Sequence, residues 1–108
     1  MTDMEQRAAA REFAAYWQNR GDEKQETQTI WLTLLQKVLG VEDADKLIAF
    51  EVPVKLGHVS FIDAFIAENR VLIEQKGSDI DLRKGYKQSD GSMLTPFQQA
   101  RRYAGYLP

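Results

Sequence analysis

Three charged residues carry the most evident chemistry in this chain. In "VLIEQKG", residues 71–77, Glu74 and Lys76 fall two apart on an otherwise apolar run, and Asp63 lies in "FIDAFI" between Ile62 and Ala64. Burying an unpaired charge is costly, so a core strand rarely holds two without a partner or a task. Strand side chains alternate faces, which puts Leu72, Glu74 and Lys76 together on one of them. A hairpin turning between Glu68 and Asn69 sets Asp63 directly opposite Glu74, with Cβ atoms roughly 4.5–5.5 Å apart. Two carboxylates that close repel unless a cation lies between them. The expectation is a divalent-metal site in which Asp63 and Glu74 offer hard oxygen ligands to Mg²⁺ or Mn²⁺. Lys76 beside it would orient or help deprotonate a water and stabilise charge on a phosphate. The bare spacing Asp-x10-Glu-x-Lys is common in a chain with 28% charged residues. Its placement on a strand–turn–strand hairpin separates it from a solvated Lys–Glu pair on an exposed face.

Further candidates lie outside the hairpin. Gln99 and Tyr103 are four apart and share one face of a helix, and Arg101 and Arg102 on that helix can reach phosphates. Glu26 begins the apolar stripe that continues through Ile30 and Leu34. Both a third acid at the metal and a first-turn partner for the helix dipole are open readings of it. His58, the single histidine, is read as a turn residue rather than a general base.

The elements that must position these residues follow from periodicity. Residues 3–19 form an amphipathic helix with Ala9, Phe13, Tyr16 and Trp17 on one stripe, ended by Gly21. A second helix starts near Asp22, where Asp22 and Gln25 make a capping box, and stops at Gly40. A short helical turn over "EDADK" comes next. From Leu47 the period changes to two. "LIAFEVPVKL" is a strand in which Pro53 favours an edge or a bulge, Gly57-His58 is a turn, "VSFIDAFI" is a second strand and "RVLIEQK" a third. A polar stretch over residues 77–93 leads to a last helix with Thr95 as N-cap, Pro96 at N1 and Gln98 closing a capping box. The fold class is α+β: helices packed on a three-stranded antiparallel meander.

At 108 residues the chain is expected to be one domain, with a core of ordinary size. It has no cysteine, which excludes disulfides and thiolate metal sites and suits a reducing cytoplasm. No signal peptide or membrane span is legible. Charge is unevenly spread. Residues 1–68 carry 7 Lys/Arg against 12 Asp/Glu, and residues 69–108 carry 7 against 4. The basic excess falls in the half that holds the acid pair, where a polyanion would be met.

Asp63 with Glu74-x-Lys76 resembles the PD-(D/E)xK nuclease superfamily, with Ile62 where the superfamily's proline stands. Gln99-x-x-x-Tyr103 resembles the branch that holds RecB-like nucleases and many restriction subunits. The stretches "RGDEKQETQTIWLTLLQKVLGVED", "FIDAFI…VLIEQKG" and "KQSDGSMLTPFQQARRYA" are similar to the N-terminal region of MmeI-like type IIG restriction-modification proteins. The resemblance implies a restriction-endonuclease-like core and metal-dependent cleavage of double-stranded DNA. Asp63, Glu74, Lys76, Gln99 and Tyr103 would be catalytic, and Asp63, Glu74 and, as a weaker candidate, Glu26 would hold Mg²⁺ or Mn²⁺. Arg83, Lys84, Lys87, Arg101 and Arg102 would contact DNA. It further implies a longer cytoplasmic parent with an adenine-specific methyltransferase, using S-adenosylmethionine, and a target-recognition domain. The closing strand of such a core is missing before Pro108, so the chain is expected to be a fragment that pairs as a homodimer and cleaves poorly alone. A non-catalytic DNA-binding module and a RecB-like repair nuclease are the alternative functions.

Overall fold

The computed structural model describes residues 1–22, 24–56 and 59–107. The expected Gly57-His58 turn, and His58 with it, lie outside the described residues. The chain divides into two compact units, Met1–Ile48 and Ala49–Pro108.

In the N-terminal unit, α1 (Asp3–Trp17) begins with a capping box that periodicity alone does not reveal. The Thr2 hydroxyl accepts from the Glu5 amide at 3.1 Å, and Glu5 Oε1 accepts from the Thr2 amide at 3.3 Å. Ala9, Phe13 and Trp17 form the half-buried stripe, but Tyr16 stays 55% exposed. Its ring meets the edge of Trp17, and the Arg20 guanidinium lies over it. Gly21, at φ 87°, turns the chain where an added Cβ would lie 2.9 Å from Ile30 Cδ1.

The second helix differs from expectation. A 3₁₀ turn (Lys24–Glu26) precedes α2 (Thr27–Thr33), whose N-cap is Glu26 without a side-chain cap. Tightening to 3₁₀ is a common way for a helix end to satisfy its first amides. The helix then widens into a π turn (Leu34–Val38), in which the Leu39 amide reaches the Leu34 carbonyl. Gly40, at φ 68°, lets the Val41 amide return to the Leu35 carbonyl at 2.8 Å. The expected turn over "EDADK" is α3 (Ala44–Leu47), and Leu35, Val38, Ala44 and Ile48 are buried.

The second unit holds an antiparallel sheet ordered β1 (Ala49–Lys55), β2 (Val59–Ile66), β3 (Val71–Ile73). Pro53 lies on β1, an edge, where a missing amide donor costs least. Ile62, Ala64 and Ile66 are buried on one face of β2, with Asp63 and Phe65 half-buried between them. The β2–β3 pairs are Ala64 with Ile73, Phe65 with Leu72 and Ile66 with Val71, the register expected from the turn. β3 nevertheless stops at Ile73, short of the expected Lys76.

The polar stretch contains a small hairpin that periodicity did not reveal, β4 (Tyr86–Lys87) and β5 (Met93–Leu94). Its turn uses Gly91 at φ 88°, and Asp90 Oδ1 accepts from the Ser92 amide and hydroxyl. Last comes α4 (Pro96–Ala104), capped as expected by Thr95 and Gln98 with Pro96 in its first turn. Its Tyr103 is buried with Val54 and Ile62, and Val52, Leu56, Leu72 and Leu107 pack around them. That core joins the meander to the helix that carries Gln99.

Candidate active site

The site begins where the sheet stops. Asp63 and Glu74 are the next pair in the β2–β3 register, and there side chains replace the ladder. Asp63 Oδ2 accepts from the Gln75 amide at 2.8 Å, and the Asp63 amide donates to Glu74 Oε1 at 3.4 Å. Carboxylates that take up local amides compete with strand pairing, which gives β3 its early end. The same bonds draw the two acids to one place. On the other side, Glu51 faces Asp63 across β1, between the pairs Phe50–Ala64 and Val52–Ile62. Its φ of 50° is strained for a side chain, so the ladder is interrupted on both flanks of Asp63. Periodicity gave no sign of this.

The Glu74 side chain is only 6% exposed. Burial foremost, and then the neighbouring charge of Asp63, push its pKa up from 4.5 to about 7. The Lys76 ammonium, 3.6 Å from Glu74 Oε2, works in the opposite direction without cancelling them. Two hard oxygen donors, one of them kept from ionising by burial and by its partner's charge, fit a divalent cation such as Mg²⁺ or Mn²⁺. Among the described residues, no three of His, Cys, Asp and Glu assemble into a metal-holding group. Glu26 is placed at the end of the 3₁₀ turn in the N-terminal unit.

Lys76 is joined to the last helix. Its Nζ donates to Gln99 Oε1 at 2.8 Å, and Gln99 Nε2 donates to Tyr103 Oη at 3.2 Å. An ammonium can only donate, so it selects the oxygen end of the amide, while the phenol takes the nitrogen end. Because the Tyr103 ring is part of the core, the chain of bonds holds Lys76 from a rigid base. Spacing placed Gln99 and Tyr103 on one face; their connection to Lys76 is tertiary.

The basic candidates differ in what they touch. Arg83 and Lys84 lie in an exposed turn closed by Asp81, and Lys84 Nζ stands over the Tyr86 ring at 5.7 Å. Lys87 is on β4, and Arg101 is exposed on α4. Arg102 instead bonds Asp90 at 2.9 Å, tying α4 to the turn of the β4–β5 hairpin. Ser92, through its hydroxyl and amide, holds the Asp90 carboxyl well below the usual range, and Arg102 adds to this. The Asp90-Gly91 dipeptide between two short β-prone pairs was the available signal for that hairpin.

The family model described as MmeI, N-terminal domain, matches residues 8–108. No curated protein and no solved structure matches the chain.

Proposed function

This chain belongs to the MmeI N-terminal domain family, and from that premise we propose that it is the DNA-cleaving domain of a type II restriction enzyme. The reaction is hydrolysis of a phosphodiester in duplex DNA, with Mg²⁺ or Mn²⁺ held by Asp63 and Glu74. The observation that carries this reading is the convergence of that acid pair with Lys76, itself held by Gln99. When bound, the metal neutralises charge on the phosphate and acidifies a nearby water.

Each residue then has a part that its contacts support. Ionised together, Asp63 and Glu74 supply the negative charge that retains the cation. An ammonium has three donors, and Lys76 directs one to Gln99 and faces another towards Glu74. The third serves a phosphate oxygen, where positive charge lowers the barrier as negative charge builds. Gln99 and Tyr103 keep that ammonium in place. Arg83, Lys84, Lys87 and Arg101 meet the DNA backbone, while Arg102 holds the hairpin to α4. S-adenosylmethionine enters only through a methyltransferase elsewhere in the parent enzyme, and its DNA substrate puts the enzyme in the cytoplasm.

The test is metal binding and cleavage measured together. Calorimetry with Mn²⁺ should show one saturable site that Asp63→Asn abolishes, and the parent enzyme carrying Asp63→Asn should no longer cut DNA. Cleavage that survives Asp63→Asn would defeat the proposal. A chain that binds DNA but no divalent metal would mark a nuclease fold kept for binding alone.

A further inference from the structure

Beside Lys76 lies a cavity of about 220 Å³ whose walls include Lys76, Lys87, Gln88 and Gln99, with Tyr86 and Leu94 supplying apolar surface. It is smaller than the roughly 300–1,000 Å³ of pockets that enclose a whole small molecule, so it suits one group of a larger ligand. Two lysines line it, and no carboxylate is among its described lining residues. Like charges drawn to one cavity favour an anion between them. Lys76 already has Glu74 and Gln99 as partners. Lys87 makes no ion pair among the described residues, so its charge remains available to a ligand.

The walls are fixed in advance. The Tyr86 hydroxyl accepts from the Asp81 amide at 3.0 Å, and the Gln88 side-chain amide donates to the Tyr86 carbonyl at 2.9 Å. One helix sets both lysines: α4 holds Lys76 through Gln99, and through Arg102 and Asp90 it holds the hairpin that carries Lys87. The Lys76 ammonium and the hairpin backbone under Lys87 are therefore held in advance, which leaves mainly the Lys87 side chain to be ordered on binding.

We infer that this cavity seats the phosphodiester adjacent to the one that is cut, with Lys87 as its anchor. The inference rests on the nuclease reading, in which Lys76 serves the scissile phosphate and leaves the far wall for its neighbour. The ligand group is an internal diester of a nucleic-acid strand rather than a terminal phosphate. Lys87 is thus a positioning residue that sets which bond along the strand reaches Lys76.

The test titrates the ¹⁵N-labelled chain without metal, using the dinucleoside monophosphate TpT, 5′-thymidylate and orthophosphate as separate probes. TpT is expected to shift the backbone amides of Lys87 and Gln88 and the side-chain amide of Gln99 saturably. Lys87→Ala should weaken that binding about tenfold, the loss of one charge-assisted hydrogen bond, and Lys87→Arg should restore it. Absence of shifts with TpT, or equal affinity in Lys87→Ala, overturns the inference. Binding of thymidylate or orthophosphate but not TpT also overturns it, in favour of a site for phosphate ends. Cleavage is read separately on the unsubstituted parent enzyme with Mg²⁺: saturable, Lys87-dependent binding of TpT beside a parent enzyme that cuts no DNA would defeat the nuclease reading and leave the phosphate site standing.

Discussion

Replacing Glu74 by glutamine should change how the metal-free protein responds to pH. Glu74 is raised from 4.5 to about 7 in the folded chain, chiefly by burial and then by Asp63. Between those two values the folded state retains a proton that the unfolded state has released. Stability is therefore fully present below pH 4.5 and is lost as pH rises towards 7. At about 1.4 kcal/mol for each pH unit the whole interval would amount to roughly 3 kcal/mol. Readjustment of the coupled acids and of Lys76 lowers this, and about 2 kcal/mol is the expected loss. The low exposure of the side chain limits screening by solvent. The substituted amide would keep the shape and an oxygen for the Asp63 amide, but it has no proton to lose. Urea denaturation with EDTA, in steps from pH 4.5 to 8, should show Glu74→Gln gaining about 2 kcal/mol on the wild type across the series. In melting temperature this is roughly 10 °C for a domain of this size. Saturating Mn²⁺ should erase much of the difference by stabilising only the protein that still has both acids. Parallel curves for the two proteins, or a wild type that grows more stable than the variant towards pH 8, would refute the reasoning.

Four other perturbations follow from the same contacts. In the parent enzyme, Lys76→Ala should lower kcat for DNA cleavage by about 10²–10³, the cost of one transition-state donor, while methylation of the same DNA proceeds unchanged. Gln99→Ala frees the Lys76 ammonium and should reduce cleavage about 100-fold through misplacement alone, with Mn²⁺ affinity by calorimetry left near the wild-type value. Repulsion between the two acids by itself would have Asp63→Ala stabilise the metal-free chain, but Asp63 also accepts the Gln75 amide. Asp63→Ala should therefore destabilise by about 1–3 kcal/mol in urea titration, whereas Asp63→Asn, which keeps an acceptor oxygen, should not. The Trp17 indole nitrogen is the buried side-chain polar atom without a partner among the described residues. Trp17→Phe discards that donor together with some apolar area, and its urea midpoint should correspond to a change within about 1 kcal/mol.

Local rules carried much of the architecture. The period-two run over residues 59–66 and the turn at Glu68–Asn69 were enough to place Asp63 across from Glu74, because a strand offers two faces and a hairpin turn sets the register. Thr95, Pro96 and Gln98 defined the start of α4 through bonds that span three residues, and helical pitch put Gln99 beside Tyr103. The same kind of pattern at Asp22–Gln25 marked the start of a helical run, but its first turn, Lys24–Glu26, is 3₁₀ and the α-helix proper starts at Thr27. The two-residue strands β4 and β5 are too short to show a period, and only the turn chemistry of Asp90-Gly91 marked them.

What sequence alone determined was direction: which side chains share a face, and which residues oppose one another over a short loop. Tertiary structure decided the rest of the site. Glu74 holds its proton to about pH 7 because packing removes its water, a quantity no spacing encodes. β3 ends at Ile73 because carboxylates capture amides that a ladder would otherwise use. Lys76 meets Gln99, 23 residues further along, because the Tyr103 core holds α4 against the meander, and Arg102 on that same helix turns to Asp90. Periodicity and capping act over a few bonds of the chain, whereas burial and charge depend on every group nearby, and those groups are assembled only when the chain folds.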